Sequence, residues 1–148
     1  MKKRRKAREL ALQGLYALEM SGNQADLVQK WIKEKKEVDE EITEFASELF
    51  RKTVENQAEL DQDVAAVAVN WEYHRIALID RLILRMALCE LLYFEIIPPK
   101  VSINEAIELA KIFSTSKSSS FVNGILDSLF KKYQSQNRIQ KKGRGLVG

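Results

Sequence analysis

The sequence predicts an all-helical protein, and three observations predict it. Apolar residues recur at helical spacing through most of the 148 residues. Chain breakers are scarce: the only two prolines are adjacent, Pro98 and Pro99, and three of the six glycines fall within the last six residues. No two alternating apolar runs flank a hairpin turn. Six or seven helices are expected, as two three-helix groups packed around a buried central helix.

The first helix is expected from about Arg5 to Met20, where Leu10, Ala11, Gly14, Leu15 and Leu18 form one face. Gly22 is suited to a left-handed cap at its end. A short second helix carries Leu27, Val28, Trp31 and Ile32 as its apolar stripe, and the charged run Lys33 to Lys36 breaks it. Asp39 is a good N-cap for a third helix, with Ile42, Phe45, Ala46, Leu49, Phe50 and Val54 on its inner side. The pattern weakens at Asn56-Gln57 and resumes with Leu60, Val64, Val67 and Trp71, which suits one kinked helix or two. Residues 70–74 read as a connection.

The stretch Leu78 to Phe94 is apolar nearly all round, the mark of a buried helix. Its polar exceptions are Asp80, Arg81, Arg85 and Glu90. Glu90 sits among leucines and is expected to be bonded to backbone donors near the Pro98-Pro99 connection. Those prolines impose extended backbone. Ser102-Ile103-Asn104-Glu105 then reads as a capping box opening the next helix. Ser114 to Ser120 is expected as a polar loop. The last helix carries Phe121, Val122, Ile125, Leu126, Leu129 and Tyr133, with Gly124 marking a close approach of helices. From about Gln134 the chain is polar, basic and glycine-containing, so residues 134–148 are expected to be disordered. The N-terminal bundle is placed at about 5–70 and the C-terminal bundle at about 74–133.

Charge is distributed unevenly. Residues 1–8 hold six of the 24 basic groups and residues 131–148 six more, while all 21 acidic residues lie between. Both ends are cationic and the body is acidic, which favours a local basic site over general stickiness. Lys2, Lys3, Arg4, Arg5, Lys6 and Arg8 make a flexible cationic arm leading into a helix, a layout suited to a polyanion such as nucleic acid, or else to solubility alone. Cys89, the only cysteine, reads as a small buried hydrophobe. A lone cysteine and no evident signal peptide fit a cytoplasmic protein. No glycine-rich nucleotide loop is present, and His74 is the only histidine, so no cofactor, metal or His-based triad is expected. Phe113 and Phe121, flanking the serine-rich stretch, are either core anchors or platforms for stacked bases. Arg81 and Arg85 read first as a local ion-pair set.

Three stretches together resemble the transcription antitermination factor NusB family. They are Arg4-Arg5-Lys6-Ala7-Arg8-Glu9-Leu10-Ala11-Leu12-Gln13-Gly14-Leu15-Tyr16, then Asp80-Arg81-Leu82-Ile83-Leu84-Arg85-Met86-Ala87-Leu88-Cys89-Glu90-Leu91, then Pro99-Lys100-Val101-Ser102-Ile103-Asn104-Glu105-Ala106-Ile107-Glu108-Leu109-Ala110-Lys111 with Phe121-Val122-Asn123-Gly124-Ile125-Leu126-Asp127. The resemblance implies two roughly perpendicular three-helix bundles. It also implies a non-catalytic factor that binds boxA, a single-stranded element of nascent ribosomal RNA, with the ribosomal protein NusE, and helps assemble a termination-resistant RNA polymerase complex. Some relatives dimerise through the RNA-facing surface, so a homodimer is a further implied partner.

Carried over by position, the RNA surface comprises Lys2, Lys3, Arg4, Arg5, Lys6, Arg8, Asp80, Arg85, Phe113, Lys117 and Phe121. The basic groups would hold phosphates, Asp80 would accept from a base amino edge, and the phenylalanines would stack. Lys117 stands where some relatives carry an acidic residue. Two other readings stay open: a helical protein-interaction module, and an accessory domain for ribosomal RNA modification, since related domains occur fused to methyltransferases.

Overall fold

The computed structural model of the chain describes residues 2–68 and 76–147. The expected connection at 70–74, with Trp71 and His74, lies outside the described residues. Among them stand seven α-helices and no strand, divided between two compact units, Met1–Glu55 and Asn56–Gly148.

The first unit holds α1 (Lys2–Ser21), α2 (Ala25–Lys33) and α3 (Glu40–Glu55). Gly22, at φ +69°, ends α1 as expected, and its N–H donates to the Leu18 carbonyl at 3.1 Å. Successive contacts show that α1 and α3 run in the same direction: Lys3 meets Asp39 and Glu41, Arg4 and Arg8 meet Phe45, and Gly14 faces Phe50. Helix α2 packs against both. Gly14 permits the close approach, because a Cβ there would lie 2.8 Å from Ile32 Cδ1 and 3.2 Å from Phe50 Cδ1. The buried residues Leu10, Ala11, Leu15, Val28, Ile32, Ala46, Leu49 and Phe50 form this core.

Two expectations change here. The basic leader is no flexible arm, since helix α1 begins at Lys2 and incorporates it. Leu27 and Trp31 are 59% and 44% exposed, although their spacing suggested a buried stripe. A nine-residue helix buries one narrow face, and Val28 and Ile32 occupy it.

The second unit holds α4 (Gln57–Val67), α5 (Leu78–Tyr93), α6 (Pro99–Phe113) and α7 (Ser116–Ser135). The break at Asn56 makes α3 and α4 separate helices. Helix α5 packs on α4, α6 and α7, and Leu82, Ile83, Leu84, Leu88, Cys89 and Leu91 are wholly buried. Helix α4 was expected in the N-terminal bundle but belongs to this unit. Its acidic residues explain why. Asp61 pairs with Arg85, Asp63 accepts from the Tyr133 hydroxyl at 2.6 Å, and Glu59 accepts from Tyr93 at 3.2 Å and from Arg138 at 2.6 Å.

The capping box does not form. Proline is favoured in the first turn of a helix, so α6 begins four residues earlier than a Ser102 cap would start it, at Pro99. Ser102 is then interior, and its hydroxyl donates to Glu90 Oε1 at 2.8 Å. The Glu90 carboxylate thus accepts from a side chain on α6. The serine-rich stretch is mostly helix: Thr115 caps α7 by accepting from the Ser118 N–H, and only residues 114–115 connect α6 to α7. Gly124 is exposed with nothing within 4 Å of its missing Cβ, so no helix approaches it closely.

Residues 134–147, expected to be disordered, are ordered. Asn137 adopts φ +56° after α7, with Arg138 N–H donating to the Tyr133 carbonyl and Asn137 N–H to that of Gln134, a Schellman ending. The following segment crosses the C-terminal end of α5. Lys141 Nζ donates to the carbonyls of Glu90 (3.0 Å) and Phe94 (2.7 Å), and the Lys142 N–H to that of Glu95 (3.0 Å). Gly145 is required there, because a Cβ would strike the Glu95 carbonyl oxygen. The negative end of the helix dipole attracts such a cation.

Candidate nucleic-acid interface

In the first unit the basic residues line the opening turns of α1. The first turn of α1 carries no acidic residue to balance them against the positive end of the helix dipole. Compensation comes from α3 and the residue before it. Lys3 Nζ lies 3.2 Å from Glu41 and 3.5 Å from Asp39, and the hydrogen bond to Glu41 leads the causes that hold its ammonium above the usual lysine value. Arg4 lays its guanidinium over the Phe45 ring, 4.3 Å from the centroid, and Arg8 lies 5.6 Å from the same centroid. Arg4 and Arg5 are half-buried and Lys6 is exposed, while Arg8 is only 2% exposed. Arg8, expected to grip phosphate, is instead an interior residue supporting the basic edge. The Lys2 side chain lies outside the described residues.

In the second unit, Asp80 occupies the first turn of α5, where the helix dipole favours an anion, and is 5% exposed. Its Oδ1 has no hydrogen-bond partner among the described residues. Arg85, 4% exposed, meets Asp61 through two hydrogen bonds, Nε to Oδ1 at 2.6 Å and an Nη to Oδ2 at 3.0 Å. Such a fork consumes the geometry that would otherwise clasp a phosphate. The fork partner of Arg85 is therefore Asp61 on α4.

The remaining candidates gather at the corner between α6 and α7. Phe113, the last residue of α6, is 40% exposed, and Ile112 beside it 54%. Three residues later α7 begins, with exposed Lys117 in its first turn. Phe121, half-buried, lies one turn beyond Lys117 and so on the same side of the helix. Hydroxyl groups fix the corner: Ser118 Oγ lies 2.9 Å from Ser114 Oγ and 3.1 Å from Thr115 Oγ1. An exposed ring, a partly covered ring and a free-standing ammonium on one rigid turn suit a base and its phosphate.

The structure thus assembles two groups, the α1 edge with Phe45 and the α6–α7 corner, and turns Arg8 and Arg85 inward. Sequence reasoning missed Phe45 and Asp61. Phe45 was visible only as a member of an apolar stripe, and Asp61 carries no local signal, since its partner lies 24 residues away.

A model described as the NusB family matches residues 5–131. A transcription antitermination protein NusB from Salinibacter ruber (strain DSM 13855 / M31) is 45% identical over 149 residues, covering 100% of this chain and 93% of its own length. A solved structure of T. maritima NusB matches with TM-score 0.82 and 32% identity, over 91% of this chain and 95% of that one. A crystal structure of the antitermination factors NusB and NusE in complex with dsRNA matches with TM-score 0.79 and 25% identity, over 90% and 99%.

Proposed function

The chain belongs to the NusB family, and from that premise we propose that it is a non-catalytic antitermination factor that binds RNA. Its target is a boxA-type single-stranded element of nascent ribosomal RNA, bound together with NusE, and the resulting pair helps assemble a termination-resistant RNA polymerase complex. The observation that carries the RNA- and NusE-binding part of this reading is the likeness over 90% of the chain to a NusB that is solved with NusE and dsRNA.

The residues divide the work. Lys3, Arg4, Arg5 and Lys6 offer charge around the first turns of α1, with Lys2 beside them in sequence. Phe113 and Phe121 offer stacking faces and Lys117 a phosphate contact. Asp80 accepts from a base amino group. Arg8 and Arg85 act from the interior, holding the surfaces that present the others.

Fluorescence anisotropy tests the proposal directly. A labelled boxA-type strand, a scrambled strand of equal length and a duplex are titrated with the protein, with and without NusE. The boxA-type strand should bind most tightly, more so with NusE, and its affinity should fall steeply with salt, since each phosphate contact contributes a logarithmic slope of about −0.7 on single strands. Equal binding of boxA-type and scrambled strands sinks the sequence-specific form of the proposal.

A further inference from the structure

We infer that Phe45 is a positioning residue for RNA recognition, holding the Arg4 guanidinium over its ring on α3 so that it meets the strand already ordered. The inference rests on the RNA-binding reading above and adds to it a residue outside the basic edge.

The geometry carries it. Arg4 and Arg8 are four residues apart on α1 and share a face, and the single Phe45 ring receives both, at 4.3 and 5.6 Å from its centroid. Their exposures differ. Arg8 is enclosed, whereas Arg4 remains half-exposed with one face of its guanidinium on the ring. A stacked guanidinium keeps its N–H edges in plane and available, the form in which arginine grips a phosphate. Lys3, next to Arg4, is pinned by other means, through Asp39 and Glu41. The ring also has an electrostatic task. Five basic side chains follow one another from Lys2 to Lys6 at a helix end that repels cations, and an aromatic face attracts two guanidinium groups where an aliphatic side chain would only fill space. Without the ring, Arg4 would have to give up its rotamer freedom at the moment of binding.

The test uses the full-length protein and the boxA-type strand by anisotropy. Phe45→Leu keeps the apolar volume and removes the aromatic face, so it should weaken binding about three- to tenfold, the range expected for losing a partly exposed cation–π contact. Phe45→Tyr should restore parental affinity. Arg4→Lys keeps the charge but loses the planar stack, so it should weaken binding to a similar degree. Combined with Phe45→Leu it should add nothing further. Parental affinity in both Phe45→Leu and Arg4→Lys, or fully additive losses in the pair, would overturn the inference while leaving RNA binding intact. If Phe45→Leu unfolds, as circular dichroism would reveal, the Arg4→Lys and Phe45→Tyr results decide it, because Arg4→Lys lies on a half-exposed side chain. A parental protein that binds no RNA brings down the functional reading, and this inference with it.

Discussion

Arg85 of α5 and Asp61 of α4 form a two-bond fork, with Nε–Oδ1 at 2.6 Å and Nη–Oδ2 at 3.0 Å, and the arginine is 4% exposed. The pair joins α4 to the central helix of the second unit. Removing one partner from a buried pair strands the other charge. Asp61→Ala should therefore destabilise the protein by about 3 kcal/mol, measured by urea unfolding. Asp61→Ala with Arg85→Met should recover much of that loss, because no charge is then left without a partner.

Lys141 makes stability depend on alkaline pH. Burial pulls its ammonium down to about 8, against the raising influence of Glu90 and Glu95. The folded value lies below the unfolded one, so the penalty on the charged form is complete below about pH 8. It is relieved as pH rises toward the ordinary lysine value, where the unfolded chain holds the extra proton. Unfolding free energy should rise between pH 8 and 9.5, and Lys141→Gln should flatten that rise. Above pH 10 the sign reverses. Burial above all, with the bond to Asp63, raises the Tyr133 phenol, and burial likewise raises Tyr93, so their ionisation favours the unfolded chain.

Gly14 separates two opposed effects. Alanine improves helix propensity by about 1 kcal/mol. Its Cβ would also stand 2.8 Å from Ile32 Cδ1, the far end of a side chain that can shift. Gly14→Ala should therefore be nearly neutral in thermal midpoint. Gly14→Leu has no room between Val28, Ile32 and Phe50 and should lose about 2 kcal/mol.

Phe113 and Phe121 should differ in what their loss does. Phe113 is 40% exposed at the end of α6, so Phe113→Ala should leave stability within about 0.5 kcal/mol of the parent. It should still weaken RNA binding by about 1–3 kcal/mol if a base stacks there. Phe121 is half-buried, and Phe121→Ala should reduce both stability and binding. Anisotropy and thermal unfolding on the same two variants separate these outcomes.

Much of the helical layout is readable from residue order alone, because local periodicity and local chemistry decide it. The left-handed Gly22 and the largely apolar α5 are examples. What escaped depends on partners distant in sequence. The apolar stripe of α4 does not say which bundle it joins; Asp61, Asp63 and Glu59 decide that by meeting Arg85, Tyr133, Tyr93 and Arg138. The C-terminal segment looked disordered by composition, yet Lys141 and Gly145 find the end of α5 about fifty residues back. Two local signals also competed at α6, and Pro99 prevailed over the Ser102 cap. At the candidate interface, the charges and rings were legible, but burial was not: Arg8 and Arg85 have the same composition-level signature as Arg4 and sit inside.

The like-directed pairing of α1 with α3 has a consequence for synthesis. Lys3 and Glu41 are 38 residues apart, and Phe45 follows later still. While the chain is being translated, the first eight residues emerge as a cationic strand with no scaffold. They acquire their arranged form only when the third helix has left the ribosome and docked beside the first, so a nascent chain halted before that point would carry the charge without the means to aim it.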